Sequence, residues 1–231
     1  MPSKATRYIG LITILGFMVL VGCLVFRAEF PDLPRYFSYL LLAVLASTLK
    51  VRLPLITGTM SVNFLFILTG IADSTLAETM TMGCAAILVQ CVWRARQRPR
   101  LVQVMFNVAA LALSIAAAYQ VSHFVVALAR VDSVPVLLAL AACLYFVSNT
   151  LLISGVLCLL DRKPLTTIWQ QCYLWSFPYY LVGSVIAGLV TMSSRAVGWE
   201  ASLLVLPLMY LVYLFYRFYL QRMALEPQIA V

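Results

Sequence analysis

The chain has 231 residues, of which 64% are hydrophobic and only 10% charged, and its mean hydropathy is +0.99; soluble domains are roughly half apolar and about a quarter charged. These proportions exclude a water-soluble globule, and uninterrupted apolar runs such as Val134 to Leu160 exclude a β-barrel built of ~10-residue alternating strands. The net charge of +8 implies no nucleic acid partner, because the basic residues gather between the apolar runs, where they set membrane orientation and touch anionic lipid.

The expected fold is all-α: a polytopic transmembrane helix bundle of about eight spans, forming a single membrane domain over residues 1–231. The first run, 8–26, follows Lys4 and Arg7 like a secretory leader. It is too long for a leader's apolar region and has no Ala-x-Ala site before Arg27, so it is expected to remain as the first helix. Further spans are expected near 36–49, 53–72, 75–93, 101–120, 134–160, 177–192 and 201–216, the second and seventh being short for a crossing of about 20 residues.

Eight spans with a cytoplasmic N-terminus put Lys4, Arg7, Lys50, Arg52, Arg94, Arg96, Arg98, Arg100, Arg162, Lys163, Arg217 and Arg222 inside, along with the C-terminus. The other four basic residues, Arg27, Arg35, Arg130 and Arg195, are outnumbered in the outer loops by Glu29, Asp32, Asp73, Asp132 and Glu200. This asymmetry matches a multi-pass membrane protein with both termini in the cytoplasm.

Within the third span, Pro54 and Gly58 can each break a helix, and Thr57, Thr59 and Ser61 offer hydroxyls to the freed backbone groups. A discontinuous helix here can line a binding site or act as a hinge; the plainer reading is a proline near a helix start and a glycine kink. At the fourth span, Thr75-Leu-Ala-Glu78 is a capping box, although Glu78 at membrane depth also suits a ligand or proton role.

Asn63, Gln90, Asn107 and Asn149 are the other polar side chains expected at membrane depth, where an amide needs a partner. Each asparagine is either a bond between helices or a wall of a binding cavity. Ala110, Ser114 and Ala118 in the fifth span, and Gly183, Ser184, Ala187 and Gly188 in the seventh, form small-residue stripes that allow close helix contact.

Before the seventh span, Pro164 to Trp175 reads as an amphipathic helix lying in the inner interface, with Leu165, Ile168, Trp169, Cys172 and Tyr173 on one face. Trp169, Tyr173, Trp175, Tyr179 and Tyr180 would then contribute to an aromatic belt, and Pro178 is a candidate break. In the last span Tyr216, Arg217 and Tyr219 run past the inner boundary. They are candidates for relaying a movement inward or, more simply, an interfacial anchor.

Enzymatic chemistry finds little support. The single histidine, His123, has no carboxylate near it in sequence, and no phosphate-binding loop or nucleophile elbow is present. The six cysteines fall in apolar segments without a C-x-x-C spacing, so no metal and no cofactor is expected, and they read as small core residues.

Two segments carry a family likeness: Lys50-Val-Arg-Leu-Pro-Leu-Ile-Thr-Gly-Thr-Met-Ser-Val-Asn63 with Phe64-Leu-Phe66, and Trp175-Ser-Phe-Pro-Tyr-Tyr-Leu-Val-Gly183. Together with Arg94 to Arg100, Val102 to Asn107 and Phe146-Val-Ser-Asn149, they resemble a MASE-type membrane-associated sensor domain of bacterial signalling proteins. The resemblance implies a multi-helix sensor that serves a cytoplasmic diguanylate cyclase, HD-GYP phosphodiesterase or histidine kinase. No such output module lies within the 231 residues, which leaves either a separate partner or a longer gene product.

Sensing without catalysis is therefore the function expected, with the lipid bilayer and a cytoplasmic signalling protein as partners and a dimer compatible with the role. A small-solute transporter, or the substrate-binding subunit of one, is the alternative, because a broken helix with buried asparagines serves uptake equally well. A lipid-binding scaffold is a third.

Overall fold

The structure, a computed structural model, describes residues 3–52, 59–95, 99–161, 164–172, 176–198 and 200, and positions 207, 210, 211, 213–215, 217 and 218. Its elements in chain order are α1 (Ser3–Phe26), α2 (Leu33–Thr48), β1 (Lys50–Arg52), β2 (Thr59–Ser61), α3 (Phe64–Asp73), α4 (Leu76–Val92), α5 (Leu101–Ala129), α6 (Val134–Asp161), α7 (Leu165–Cys172) and α8 (Phe177–Val197).

Local chemistry fixes several boundaries. Asp32 caps α2 by accepting from the Arg35 N–H at 3.1 Å, with Pro34 in the first turn, where its missing N–H costs nothing. The capping box expected at α4 is formed: the Thr75 N–H donates to Glu78 Oε2 at 2.9 Å and the Glu78 N–H to Thr75 Oγ1 at 3.2 Å. Gly198, at φ 117°, closes α8 in a conformation that favours glycine.

Contacts between helices set their directions. Gly16 of α1 packs so closely on Ala109 of α5 that a methyl group at Gly16 would overlap the Ala109 backbone. Tyr8 crosses Gly155 of α6 and donates its hydroxyl to Leu152 O at 3.2 Å. These contacts make α1 parallel to α5 and antiparallel to α6, as an alternating bundle requires. Leu138 of α6 rests beside Gly188 of α8, and Phe64 of α3 covers Gly183 of α8.

The bundle therefore has two distinct ends. The hairpin end gathers the start of α1, both strands, the end of α4, the starts of α5 and α8, and the end of α6. The opposite end is closed by Arg195 of α8, whose guanidinium bonds Asp73 Oδ1 and the Ala72 carbonyl at the end of α3. The core between them is apolar, with Phe64, Leu65, Ile67, Leu68, Met80, Ile115, Leu138 and Phe146 all buried.

Among the described residues four helices, α1, α5, α6 and α8, are long and apolar enough to cross a membrane. On α1, Leu11, Ile14, Met18, Val21, Val25 and Phe26 point outward, an exposure that suits a hydrocarbon solvent and would be unfavourable in water. The small-residue stripe of α5 faces inward, with Ala110, Ser114 and Ala118 buried, and so does that of α8 with Gly183, Ser184, Ala187 and Gly188.

The third span departs from expectation. It is not a continuous helix over 53–72: Lys50–Arg52 pairs antiparallel with Thr59–Ser61, and helix begins only at Phe64. Ten residues give α3 a length of about 15 Å, half a bilayer's hydrocarbon. Strand pairing satisfies backbone groups that a broken helix leaves free. Pro54 and Gly58, the two residues singled out as breaks, lie outside the described residues.

Other bounds also shift. Helix α5 continues to Ala129, past the expected stop at Gln120, because Val121 to Ala129 offers no Gly or Pro to end it. Helix α8 runs on to Val197, and α2 starts at Leu33, its cap being Asp32. Of the expected last span, 201–216, only scattered positions are described.

Helix α7 is short and buries Ile168 against Ile153, Leu157 and Cys158 of α6. Its Trp169 turns toward α6 as well: the indole N–H donates to Thr150 Oγ1 at 2.9 Å and the ring lies 6.1 Å from Phe146. Trp169 is thus a packing residue against α6, an inward role that the aromatic-belt reading did not assign.

Candidate functional site

The break between β2 and α3 exposes polar groups inside the bundle, and the sequence fills that point with Ser61 and Asn63, both buried. Ser61 Oγ lies 2.8 Å from Asn63 Oδ1 and 2.6 Å from Gln90 Oε1 on the last turn of α4. A hydroxyl has one proton, so Ser61 donates to one amide and accepts from the nitrogen of the other after that amide turns over. The three side chains form a neutral lock that joins β2, the start of α3 and α4.

Next along α4, Cys91 accepts from Asn107 Nδ2 of α5 at 3.5 Å. Lys50, the first residue of β1, donates its Nζ to the Trp93 carbonyl just past the end of α4. Partial burial lowers the Lys50 ammonium from its usual value, an effect opposed by its proximity to Cys91. The Arg94 guanidinium sits 5.8 Å over the Trp93 ring. Four elements thus converge on the hairpin end of α4 through hydroxyl, amide and ammonium groups.

From Asn63 the chain passes directly into an aromatic cluster. The Phe64 ring lies 4.7 Å from Tyr179 and 4.9 Å from Tyr180, and Tyr180 lies 5.2 Å from Phe146 and 5.9 Å from Tyr145. The Tyr180 side chain also lies close to that of Asn149 of α6. Asn63 and Asn149 are therefore linked through Phe64 and Tyr180, and Asn107 joins the same end through Cys91.

Glu78 stands apart from this group, at the opposite end of α4. It is buried, one oxygen serves the capping box, and the other, Oε1, has no hydrogen-bond partner among the described residues. Pro178 stands exposed in the first turn of α8, so the break it marks is the boundary before α8 rather than a kink within a helix. Of the relay candidates, Arg217 is helical and exposed, while Tyr216 and Tyr219 lie outside the described residues; Tyr213 packs against the main core.

The geometry suits recognition or conformational locking by neutral hydrogen-bonding groups. Among the described residues no cluster of three or more His, Cys, Asp or Glu side chains is assembled, and His123 places Nδ1 2.8 Å from the Tyr119 carbonyl while stacking on the Tyr119 ring. Sequence reasoning marked Asn63 and Gln90 as amides in need of a partner and Ser61 as a hydroxyl for freed backbone groups, but not that Ser61 is the partner the two amides share. The available signal was Gln90 itself, an amide in an apolar helix that must find a bond. The chain matches no protein-family model, no curated protein and no solved structure.

Proposed function

We propose that the chain is a non-enzymatic, multi-pass sensory domain of the bacterial inner membrane that detects a ligand or a membrane state and relays it through its last helix to a cytoplasmic cyclase, phosphodiesterase or kinase. The hairpin end faces the cytoplasm in this reading, with eight crossings, both termini inside and α7 at the inner surface. Lys4, Arg7, Lys50, Arg52, Arg94 and Arg100 all belong to segments at that end, in keeping with retention of positive charge inside. The likeness to MASE-type sensors of the segments around Asn63 and Gly183 points the same way.

One observation carries the proposal. The half-length helix α3 is held at its start by Ser61, Asn63 and Gln90 and is keyed to α8 by Phe64 on Gly183. A stimulus that favours one arrangement of the neutral lock shifts α3 against α8, the helix that leads into the final segment. Such a stimulus acts only through its difference in affinity for the two packings.

A reporter diguanylate cyclase joined after Val231 tests this. Asn63→Ala and Phe64→Leu, each at wild-type expression level, are expected to change reporter output about fivefold or more. Unchanged output in both, alongside solute flux in reconstituted vesicles, would replace sensing with transport.

A further inference from the structure

The bundle opens sideways where α1 parts from α5 near the Arg195 end. A cleft of about 320 Å³ lies there between the last turns of α1, the start of α4 at Leu76 and the middle of α5 at Ala116 and Gln120. The gap lies beside the close contact of α1 with α5. A methyl group at Gly16 would overlap Ala109, but one at Gly22 would meet no atom within 4 Å. Val19, Leu76 and Ala116 give the cleft apolar walls, and Arg27 and Gln120 supply polar groups.

Arg27 is exposed, and its side chain forms no hydrogen bond or ion pair among the described residues. Beside it the outward face of α1 presents Val21, Val25 and Phe26, a lipid-facing surface. An apolar slot that opens toward hydrocarbon and carries one cation held in no ion pair among the described residues fits an amphiphile with an anionic head. A free phosphate ion would leave the apolar depth unfilled.

We infer that this cleft binds a glycerophospholipid, one acyl chain lying against Gly22 and Ala116 and the phosphate at Arg27, with the Gln120 amide available to an ester oxygen. The site is at the opposite end of the bundle from Asn63. It requires only that α1 face lipid, so it stands or falls independently of the sensory reading.

Native mass spectrometry of the full chain tests it, with dioleoylphosphatidylglycerol, dioleoylglycerol and inorganic phosphate as probes. Gly22→Leu fills open space, so the bundle keeps its melting temperature while both lipids bind about tenfold more weakly, the loss of roughly two buried methylenes. Arg27→Gln weakens the phospholipid about threefold and leaves dioleoylglycerol unchanged. Gly10→Leu, also open and on the same helix, alters neither. Binding by Gly22→Leu equal to that of Gly10→Leu would overturn the proposal, as would displacement of the phospholipid by millimolar inorganic phosphate.

Discussion

The Phe64 ring occupies the space that any side chain at Gly183 would need, so α3 and α8 meet as a ring on bare backbone. Gly183→Ala must therefore move a buried aromatic that also touches Tyr179 and Tyr180. Overpacking of this kind costs about 1–3 kcal/mol. Thermal unfolding in detergent should show the loss, and Phe64→Leu in the Gly183→Ala background should recover part of it. An unchanged melting temperature would mean that α3 and α8 do not touch as described.

Gly16 faces a harder obstacle, because its neighbour is the backbone of Ala109 rather than a side chain that can swing away. Gly16→Val is expected to push α1 from α5 and to destabilise the protein by at least as much as Gly183→Ala. Gly10→Ala, with open space around it, should stay within about 0.5 kcal/mol of wild type. Equal effects at the two positions would contradict the close approach of α1 and α5.

Ser61 is the shared partner of two amides. Ser61→Ala removes the hydroxyl bonded to the buried Asn63 and the half-buried Gln90, a cost of about 1–3 kcal/mol. A double-mutant cycle with Gln90→Ala should give a coupling of about 0.5 kcal/mol or more. Additive effects would separate the two residues and dissolve the lock.

What was legible in the sequence followed the range of each interaction. The capping box at Thr75 and Glu78 was readable because its partners are three residues apart, and the first and sixth spans were readable because charges or prolines flank uninterrupted apolar runs. The hairpin was not, since Lys50–Arg52 finds Thr59–Ser61 only through pairing across the segment that holds Pro54 and Gly58. The keying of Phe64 onto Gly183 and the convergence of Asn63 with Gln90 join residues far apart in the chain, which no local pattern reports. The stripes in α5 and α8 showed which faces turn inward, but not that Gly16 would be the tightest contact of α1.

Glu78 separates a structural from a functional role. Glutamine also closes a capping box, so Glu78→Gln should change stability by no more than about 0.5 kcal/mol and leave reporter output intact. Thr75→Ala removes the cap and the 2.8 Å bond to the Glu29 carbonyl, costing about 0.5–2 kcal/mol. A Glu78→Gln protein that is stable but gives no reporter output would assign Oε1, unpartnered among the described residues, a part in signalling.

The placement of the bundle in the membrane is tested most directly by labelling single cysteines in a background free of the six native ones. Ala95→Cys lies beyond the end of α4 at the hairpin end, and Asp132→Cys lies between α5 and α6 at the Arg195 end; both positions are exposed. A membrane-impermeant maleimide applied to intact spheroplasts should label Asp132→Cys and reach Ala95→Cys only after lysis. Labelling of both before lysis, or of Ala95→Cys alone, would contradict a bundle that crosses the bilayer with its hairpin end inside.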